Sequence, residues 1–288
     1  MINLSVRNFK LFFRNKSSVF FSLLGAIIII LLYVLFLGDM VAGDIGGVPI
    51  AREVLDNWIM AGLLAVTSIT TTMGAFGRIV EEREGGRLKD FFAAPIRKSA
   101  IVGGYLSSAV FIGIIMTLFV LVLAEVYIIA YGGSIIQIIP LLKVLGIIVL
   151  SVISSGSMVF FAMTFIKNST AFGTASTILG TLIGFLTGIY IPIGVLPTPV
   201  QWVIKLFPVS HAGALFRQIM MEDALARNFA SLPIEATDAF KSSMGVVFDY
   251  GGYNAPAWLH ILVLVGTAAL FFSLAVLKLS MKKGKSGL

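Results

Sequence analysis

Residues 101–131 read IVGGYLSSAVFIGIIMTLFVLVLAEVYIIAY, and Glu125 is the only Asp, Glu, Lys, Arg or His among them. A helix needs about 20 mostly apolar residues to cross the hydrocarbon core of a bilayer. The alternation of apolar and polar residues that is typical of barrel strands is absent, and a single helix satisfies its own backbone groups in lipid. The stretch therefore predicts a transmembrane helix, which we place at 104–131.

Apolar runs of this kind recur along the whole chain. Of its 288 residues, 58% are hydrophobic and 12% are charged, whereas soluble domains contain about 45–50% and about 25%. We predict an all-α integral membrane protein that forms a single transmembrane domain over 1–288. The expected transmembrane helices are 19–37, 58–77, 104–131, 141–166, 171–191 and 258–277.

The distribution of basic residues predicts the orientation in the membrane. Four segments lie on one side of the predicted spans: the one before span one, the two connections between spans two and three and between spans four and five, and the one after span six. Together they contain 15 of the 21 lysines and arginines. Cytoplasmic segments carry such an excess. We therefore predict a multi-pass protein of the cell membrane with both termini in the cytoplasm. Topology also explains the net charge of +7, so we expect membrane lipids, and not nucleic acid, as partners.

Two segments outside the six spans have distinct compositions. Residues 1–17 place Arg7, Lys10 and Arg14 on one helical face and apolar residues on the opposite face, which predicts an amphipathic interfacial helix, at least as an anchor. Segment 192–257 lies on the outer side. Its first half contains four prolines among apolar residues and predicts short re-entrant helices. Its second half, 222–253, is polar enough to predict an exposed loop.

Several chemistries lack support in the sequence. There are no cysteines, and the two histidines, His211 and His260, stand 49 positions apart, so we expect no metal site. Residues 284–286 read Gly-Lys-Ser, but Leu279 stands where a phosphate-binding loop needs its first glycine. We expect no cofactor bound by this chain, and an enzyme is the weakest functional class.

The connection between spans two and three is the most informative segment. Residues 78–95 read RIVEEREGGRLKDFFAAP. Two adjacent glycines cost about 1 kcal/mol each inside a helix, so we predict a turn there, followed by a short helix over 87–94 that ends at Pro95. On it Leu88, Phe91 and Phe92 share one face. A helix of about eight residues is unstable alone, so it must lie against the membrane surface or a partner.

These motifs bring a family resemblance. Glu82-Arg83-Glu84-Gly85-Gly86, followed by Leu88 and by Pro95-Ile96, resembles the intracellular loop of ABC type-2 exporter permeases. The six-span layout and the N-terminal helix are also similar, as is Phe207-Pro208 followed by His211 and Arg217. Two positions depart from the family pattern: Arg87 stands where a small polar residue is frequent, and Gly104 stands where a lysine is frequent.

The resemblance implies that 81–95 is a coupling helix that docks into a separate ATP-binding subunit. It implies an exporter built from two permease chains and two such subunits, with ATP and Mg²⁺ bound by the subunits. The chain itself would then not be an enzyme. The expected coupling residues are Glu82, Arg83, Glu84, Gly86, Arg87, Leu88, Phe91 and Phe92.

Hydroxyl and small side chains recur within spans two and five. Ordinary packing of membrane helices uses such residues, while the family resemblance implies a central translocation path, and the two roles can coexist. The candidate path residues are Thr67, Thr70, Thr71, Thr177, Thr181 and Gly184. Glu125 is the one ionisable residue inside a span, at its outer end, where either a structural or a transport role is open.

Two other functional classes remain open from the sequence. An ATP-independent secondary transporter or channel would normally place charges or broken helices at the membrane midplane, and this chain has little of either. A membrane scaffold is the second alternative. The identity of the substrate, and whether the second permease is a copy of this chain, are not encoded in these patterns.

Overall fold

A computed structural model gives the fold and describes residues 2–33, 35, 44–45, 48–49, 51–93 and 96–281. The described part is almost entirely helical, and the predicted all-α membrane fold is confirmed. Its helices are α1 (Ile2–Arg14), α2 (Lys16–Leu32), α3 (Arg52–Glu84), α4 (Arg87–Ala93), α5 (Lys98–Ala130), α6 (Ile138–Met163), α7 (Ser169–Leu186), α8 (Thr198–Leu206), α9 (Pro208–Met220), α10 (Glu222–Asn228), α11 (Ile234–Ser243) and α12 (Ala257–Met281). Two short strands, β1 (Asp44–Ile45) and β2 (Val48–Pro49), pair antiparallel between α2 and α3.

Five helices, α3, α5, α6, α7 and α12, are long and apolar enough to cross a membrane. The pair α1 and α2, which bends by 76°, provides the sixth candidate. We refer to the end of the bundle that carries α4 as the α4 end and to the opposite end as the distal end. Helix α3 is central, because it packs against α2, α5, α6, α7 and α9.

The bend between α1 and α2 occurs at Asn15, whose side chain accepts a hydrogen bond from the Ser18 amide at 3.3 Å and caps α2. Helix α1 packs on α5, with Asn8 and Phe12 buried. Ile2 remains 74% exposed. The amphipathic helix therefore has one side on the protein and an apolar edge that is free to meet lipid.

The helix bounds differ from the predicted spans. Helices α3 and α5 have 33 residues each, about 50 Å. Helix α3 extends past the predicted 58–77 at both ends, whereas α5 begins six residues before the predicted 104–131 and ends one residue earlier. Helix α7 ends at Leu186, five residues before the predicted end of 171–191, and Gly188 follows with a φ of +66°. Helix α6 spans 138–163, where 141–166 was predicted, and α12 spans 257–281, where 258–277 was predicted. Helix α2 runs 16–32, and residues 34 and 36–37 of the predicted 19–37 lie outside the described residues.

The distal segment is more ordered than predicted. A 3-10 turn, Ile193–Val195, and helix α8 lead into α9, which packs among α3, α6 and α12. The prediction of an exposed loop over 222–253 is wrong, because α10 and α11 form there and bury Phe229, Phe240 and Met244. These three apolar side chains, spaced widely among polar residues, supply the packing that the polar composition concealed.

Candidate functional site

The 81–95 segment begins in the last turn of α3. Gly85 caps α3, and Gly86 adopts a φ of +77°, a left-handed conformation that costs other residues about 1–2 kcal/mol. A Cβ at Gly86 would meet no atom within 4 Å. Backbone conformation, and not space, therefore requires glycine at the turn into α4. Ala94 and Pro95, at the end of the segment, lie outside the described residues.

Glu82 points into the protein. Its side chain is 1% exposed, and Arg7 Nη2 donates to its Oε1 at 2.8 Å. Arg78 Nε lies 3.5 Å from the same oxygen, and the Tyr105 hydroxyl donates to Oε2. One carboxylate thus joins α1, α3 and α5. Because its side chain is buried in this arrangement, Glu82 cannot contact another protein directly. It can influence a partner only through these neighbours.

Arg83 and Glu84 face the connection between α6 and α7. Arg83 Nη1 donates to the Ile166 carbonyl oxygen at 2.6 Å. The Glu84 carboxylate accepts hydrogen bonds from the Ser169 amide at 3.1 Å and from the Ser169 hydroxyl. A carboxylate at the first residue of α7 also faces the positive end of that helix. Hydrogen bonds therefore connect the end of α3 to the start of α7 and to the residues just before it.

Helix α4 has a covered face and an exposed face. Leu88 and Phe91 are half-buried and pack against the protein's own core. The Arg7 guanidinium lies 5.1 Å from the centre of the Phe91 ring. Arg87 and Asp90 are exposed, and the side chain of Phe92 lies outside the described residues. The chain itself thus supplies part of the support that this short helix needs.

The predicted path residues fall into different environments. Thr67 and Thr71 are fully buried, and their hydroxyls donate to carbonyl oxygens one turn earlier, at 2.8 and 2.7 Å. Thr177 and Thr181 are exposed on α7. Gly184 is buried beneath the Tyr190 ring, which a Cβ at this glycine would overlap. The six residues therefore do not line one surface within a single chain.

Thr70 instead borders a cavity of about 400 Å³ between α2, α3 and α7. Ser176 and Gly180 of α7 form the facing wall, and the buried Ser176 hydroxyl has no hydrogen-bond partner in the described part of the chain. Arg78 and Glu81 lie in the same lining, toward the α4 end, and pair at 3.0 Å. The cavity thus reaches from the middle of α3 to the 81–95 segment.

Glu125 lies at the distal end of α5. Its Oε2 accepts a hydrogen bond from the Ile136 amide at 3.0 Å and thereby closes the turn between α5 and α6. It borders a small cavity of about 20 Å³, together with Asn57 and Arg227. These contacts favour the structural role over the transport role.

Two distal arrangements escaped sequence reasoning. Arg217 is fully buried, and its Nη2 donates to the carbonyl oxygens of Thr187 at 3.0 Å and Gly188 at 3.1 Å, just past the end of α7. Its guanidinium lies 4.9 Å from the centre of the Trp58 ring. Burial lowers the pKa of Arg217 to about 9, which still leaves it charged at neutral pH. The available signals were an arginine in a largely apolar helix and its place in the motif that follows Phe207-Pro208, but neither indicated its hydrogen-bond partners.

The second arrangement is a contact between the histidines. His211 Nδ1 and His260 Nδ1 lie 2.8 Å apart, and His211 Nε2 donates to the Lys205 carbonyl oxygen at 2.8 Å. Burial lowers the pKa of His211, although the hydrogen bond to Lys205 opposes this shift. The pair joins α9 to α12. In the part of the chain that the structure describes, no three His, Cys, Asp or Glu residues could hold a metal ion.

Helices α1 to α9, including the 81–95 segment and Arg217, fall within a single family match. The sequence model of the family described as ABC-2 type transporter matches residues 2–221. The chain belongs to the ABC-2 type transporter family. This ABC-2 protein is the membrane-spanning permease component of an ABC transporter, a family in which the ATPase resides in a separate subunit. No curated protein sequence matches the chain.

Proposed function

We propose that this ABC-2 permease serves an ATP-driven exporter in which two permease chains assemble with two ATP-binding subunits. ATP and Mg²⁺ bind in those subunits, and both termini of the permease lie in the cytoplasm. Segment 81–95 receives the conformational change that ATP binding and hydrolysis produce. The observation that carries this proposal is the pair of contacts that fasten the end of α3 to the start of α7, from Arg83 to Ile166 and from Glu84 to Ser169.

The contacts suggest how force passes from the 81–95 segment to the membrane helices. A displacement of α4 moves the end of α3, and the hydrogen bonds of Arg83 and Glu84 carry the displacement into α7. Helix α7 forms one wall of the cavity beside Thr70. The same displacement reaches α1 through Glu82 and Arg7. Movement at the ATP-binding subunits therefore changes the width of this cavity.

The exposed charged edge of α4, with Arg87 and Asp90, is the surface available to the ATP-binding subunit. Leu88 and Phe91 act mainly by seating α4 on the permease, because they are partly covered by it. The apolar face of α4 therefore holds the helix on the permease in addition to any contact with the ATP-binding subunit. Ion pairs of exposed residues are weak individually, so we expect the docking of α4 to be sensitive to salt.

The exposed face of α7 is the proposed contact with the second permease chain. Thr177 and Thr181 lie on it, one helical turn apart, and each hydroxyl already donates to a carbonyl oxygen of its own helix. Small and hydroxyl side chains allow close approach of membrane helices. Two copies of this face would enclose a path continuous with the cavities beside Thr70.

A cysteine test measures this coupling without knowledge of the substrate. The chain contains no cysteine, so Thr177→Cys provides a single labelling site on α7. We expect maleimide labelling of the purified complex to change in rate on addition of ATP and Mg²⁺. Arg83→Ala should abolish that change while the ATP-binding subunit still co-purifies and hydrolyses ATP. Disulfide formation between two Thr181→Cys chains tests the proposed contact between permeases.

Lys167→Ala is the matched control, because Lys167 is exposed beside Ile166 and its ammonium makes no hydrogen bond or ion pair with the residues that the structure describes. Its labelling should respond to ATP as in the parent chain. An ATP response that survives Arg83→Ala would contradict the proposed link. A purified permease that transports without any ATP-binding subunit would contradict the whole function and favour a secondary transporter.

A further inference from the structure

A second and larger cavity lies at the distal end, and its lining residues differ from those of the candidate path. Its volume is about 870 Å³, and it is lined by residues of α6, α9, α10 and α11 and the first turns of α12. None of its lining residues belongs to α2, α3 or α7. This cavity is therefore separate from the one beside Thr70, and the proposed coupling does not use it.

The walls of the distal cavity are mostly apolar. Ile147 and Leu150 of α6 line it together with Leu225 and Phe229, and Ile261 of α12, also in the lining, is 43% exposed. The lining residues of α6 run from Lys143 to Leu150, about 10 Å along the helix axis. The volume lies within the range of ligand sites, about 300–1,000 Å³. These dimensions and walls suit a hydrocarbon chain that enters from the adjacent leaflet.

The charged groups in the lining favour an anion at the mouth. Lys143 and Lys241 both line the cavity, and neither makes an ion pair with any residue in the described ranges. Glu222 is the single carboxylate in the lining, so the two lysines leave an excess of one positive charge. Lysine stems can lie along apolar walls while the ammonium groups reach the headgroup region. Basic pockets between membrane helices bind anionic lipid headgroups on the cytoplasmic side of membranes, and the same attraction between lysine and phosphate is available at the distal end.

Gly146 gives the cavity room for an acyl chain. A Cβ at this position would meet no atom within 4 Å, and the residue lies in the first third of α6, within the cavity lining. From the apolar walls, the two lysines that lack an ion pair within the described ranges and the exposed Ile261 of α12, we infer that the distal cavity binds an anionic phospholipid of the neighbouring leaflet. The lipid phosphate contacts Lys143 and Lys241, and one acyl chain lies along α6 past Gly146.

Lipid titration of the purified chain tests this inference independently of transport. Phosphatidylglycerol and phosphatidylcholine with identical fluorescent acyl chains are added separately to the full chain in detergent. We expect phosphatidylglycerol to bind more tightly. The double variant Lys143→Gln with Lys241→Gln should weaken its binding by about fivefold per lysine, about 25-fold together, while phosphatidylcholine binding changes little. Gly146→Phe should weaken the binding of both lipids, because the ring fills the acyl-chain space.

Gly266→Phe is the matched control for the second variant. Gly266 also lies in a membrane helix with no atom within 4 Å of its Cβ position, but it is not part of the cavity lining. Lys16→Gln with Lys167→Gln controls for the loss of two charges elsewhere. Equal affinity for the two lipids, or unchanged binding in Gly146→Phe with a monodisperse protein, would overturn the inference. An ATP-coupling failure with intact lipid binding would affect only the proposed function.

Discussion

Removal of the Arg7 guanidinium isolates the contact that joins α1 to the 81–95 segment. In Arg7→Ala, the Glu82 carboxylate, which is 1% exposed in the parent chain, loses its 2.8 Å ion pair. Breaking a fully buried pair costs about 3–5 kcal/mol. The Arg7 side chain is 35% exposed, and Arg78 and Tyr105 still contact the carboxylate. We therefore expect a smaller loss, about 2 kcal/mol.

The measurement is thermal unfolding of the purified permease in detergent. A loss of 1 kcal/mol lowers Tm by about 2–4 °C in chains of 150–250 residues, so Arg7→Ala should lower it by about 4–8 °C. Lys10→Ala is the control, because Lys10 is exposed on the same helix and has no ion pair among the described residues. A double-mutant cycle with Glu82→Gln should give a coupling energy of about 1 kcal/mol or more. Equal Tm values for Arg7→Ala and Lys10→Ala, or a coupling energy near zero, would refute the assignment.

Three further predictions concern the turn, the cavity and the topology. Gly86→Ala should weaken ATP-coupled labelling of α7 because of its φ of +77°, while Gly266→Ala, in open space within α12, should leave it unchanged. Thr70→Trp should obstruct the cavity and reduce transport while the protein remains stable. Thr71→Trp should instead lower the protein yield, because Thr71 is fully buried and has no room for the larger ring. A cysteine at Ser243 should react with an impermeant label applied outside the cell, and reaction only after lysis would reverse the proposed orientation.

Sequence patterns were most informative where one physical requirement dominates. Long apolar runs must form helices in lipid, and the two adjacent glycines separate α3 from α4 as predicted, with Gly86 in the conformation that favours glycine. The end of α7 was harder to predict, because residues 187–191 are as apolar as those before them. The helix stops where the distant Arg217 takes over the carbonyl oxygens of Thr187 and Gly188.

The candidate site shows the same division between local and distant information. The charged composition of 81–84 indicated an important segment, yet sequence alone could not show that Glu82 turns inward to Arg7 and Tyr105. Those partners stand 75 and 23 positions away. The threonines of α3 were correctly grouped on one helix, but their burial depends on which neighbours cover each face. Only Thr70 of the three borders the cavity.

The early end of α7 makes it the shortest of the helices that meet the spanning criteria on their own. Its 18 residues extend about 27 Å, slightly less than a hydrocarbon core of about 30 Å. Such hydrophobic mismatch is accommodated by local thinning of the bilayer, at a fraction of a kcal/mol per Å. Bilayer thickness therefore acts directly on α7, the helix proposed to move during transport, so membrane composition becomes a physical input to the work of the permease.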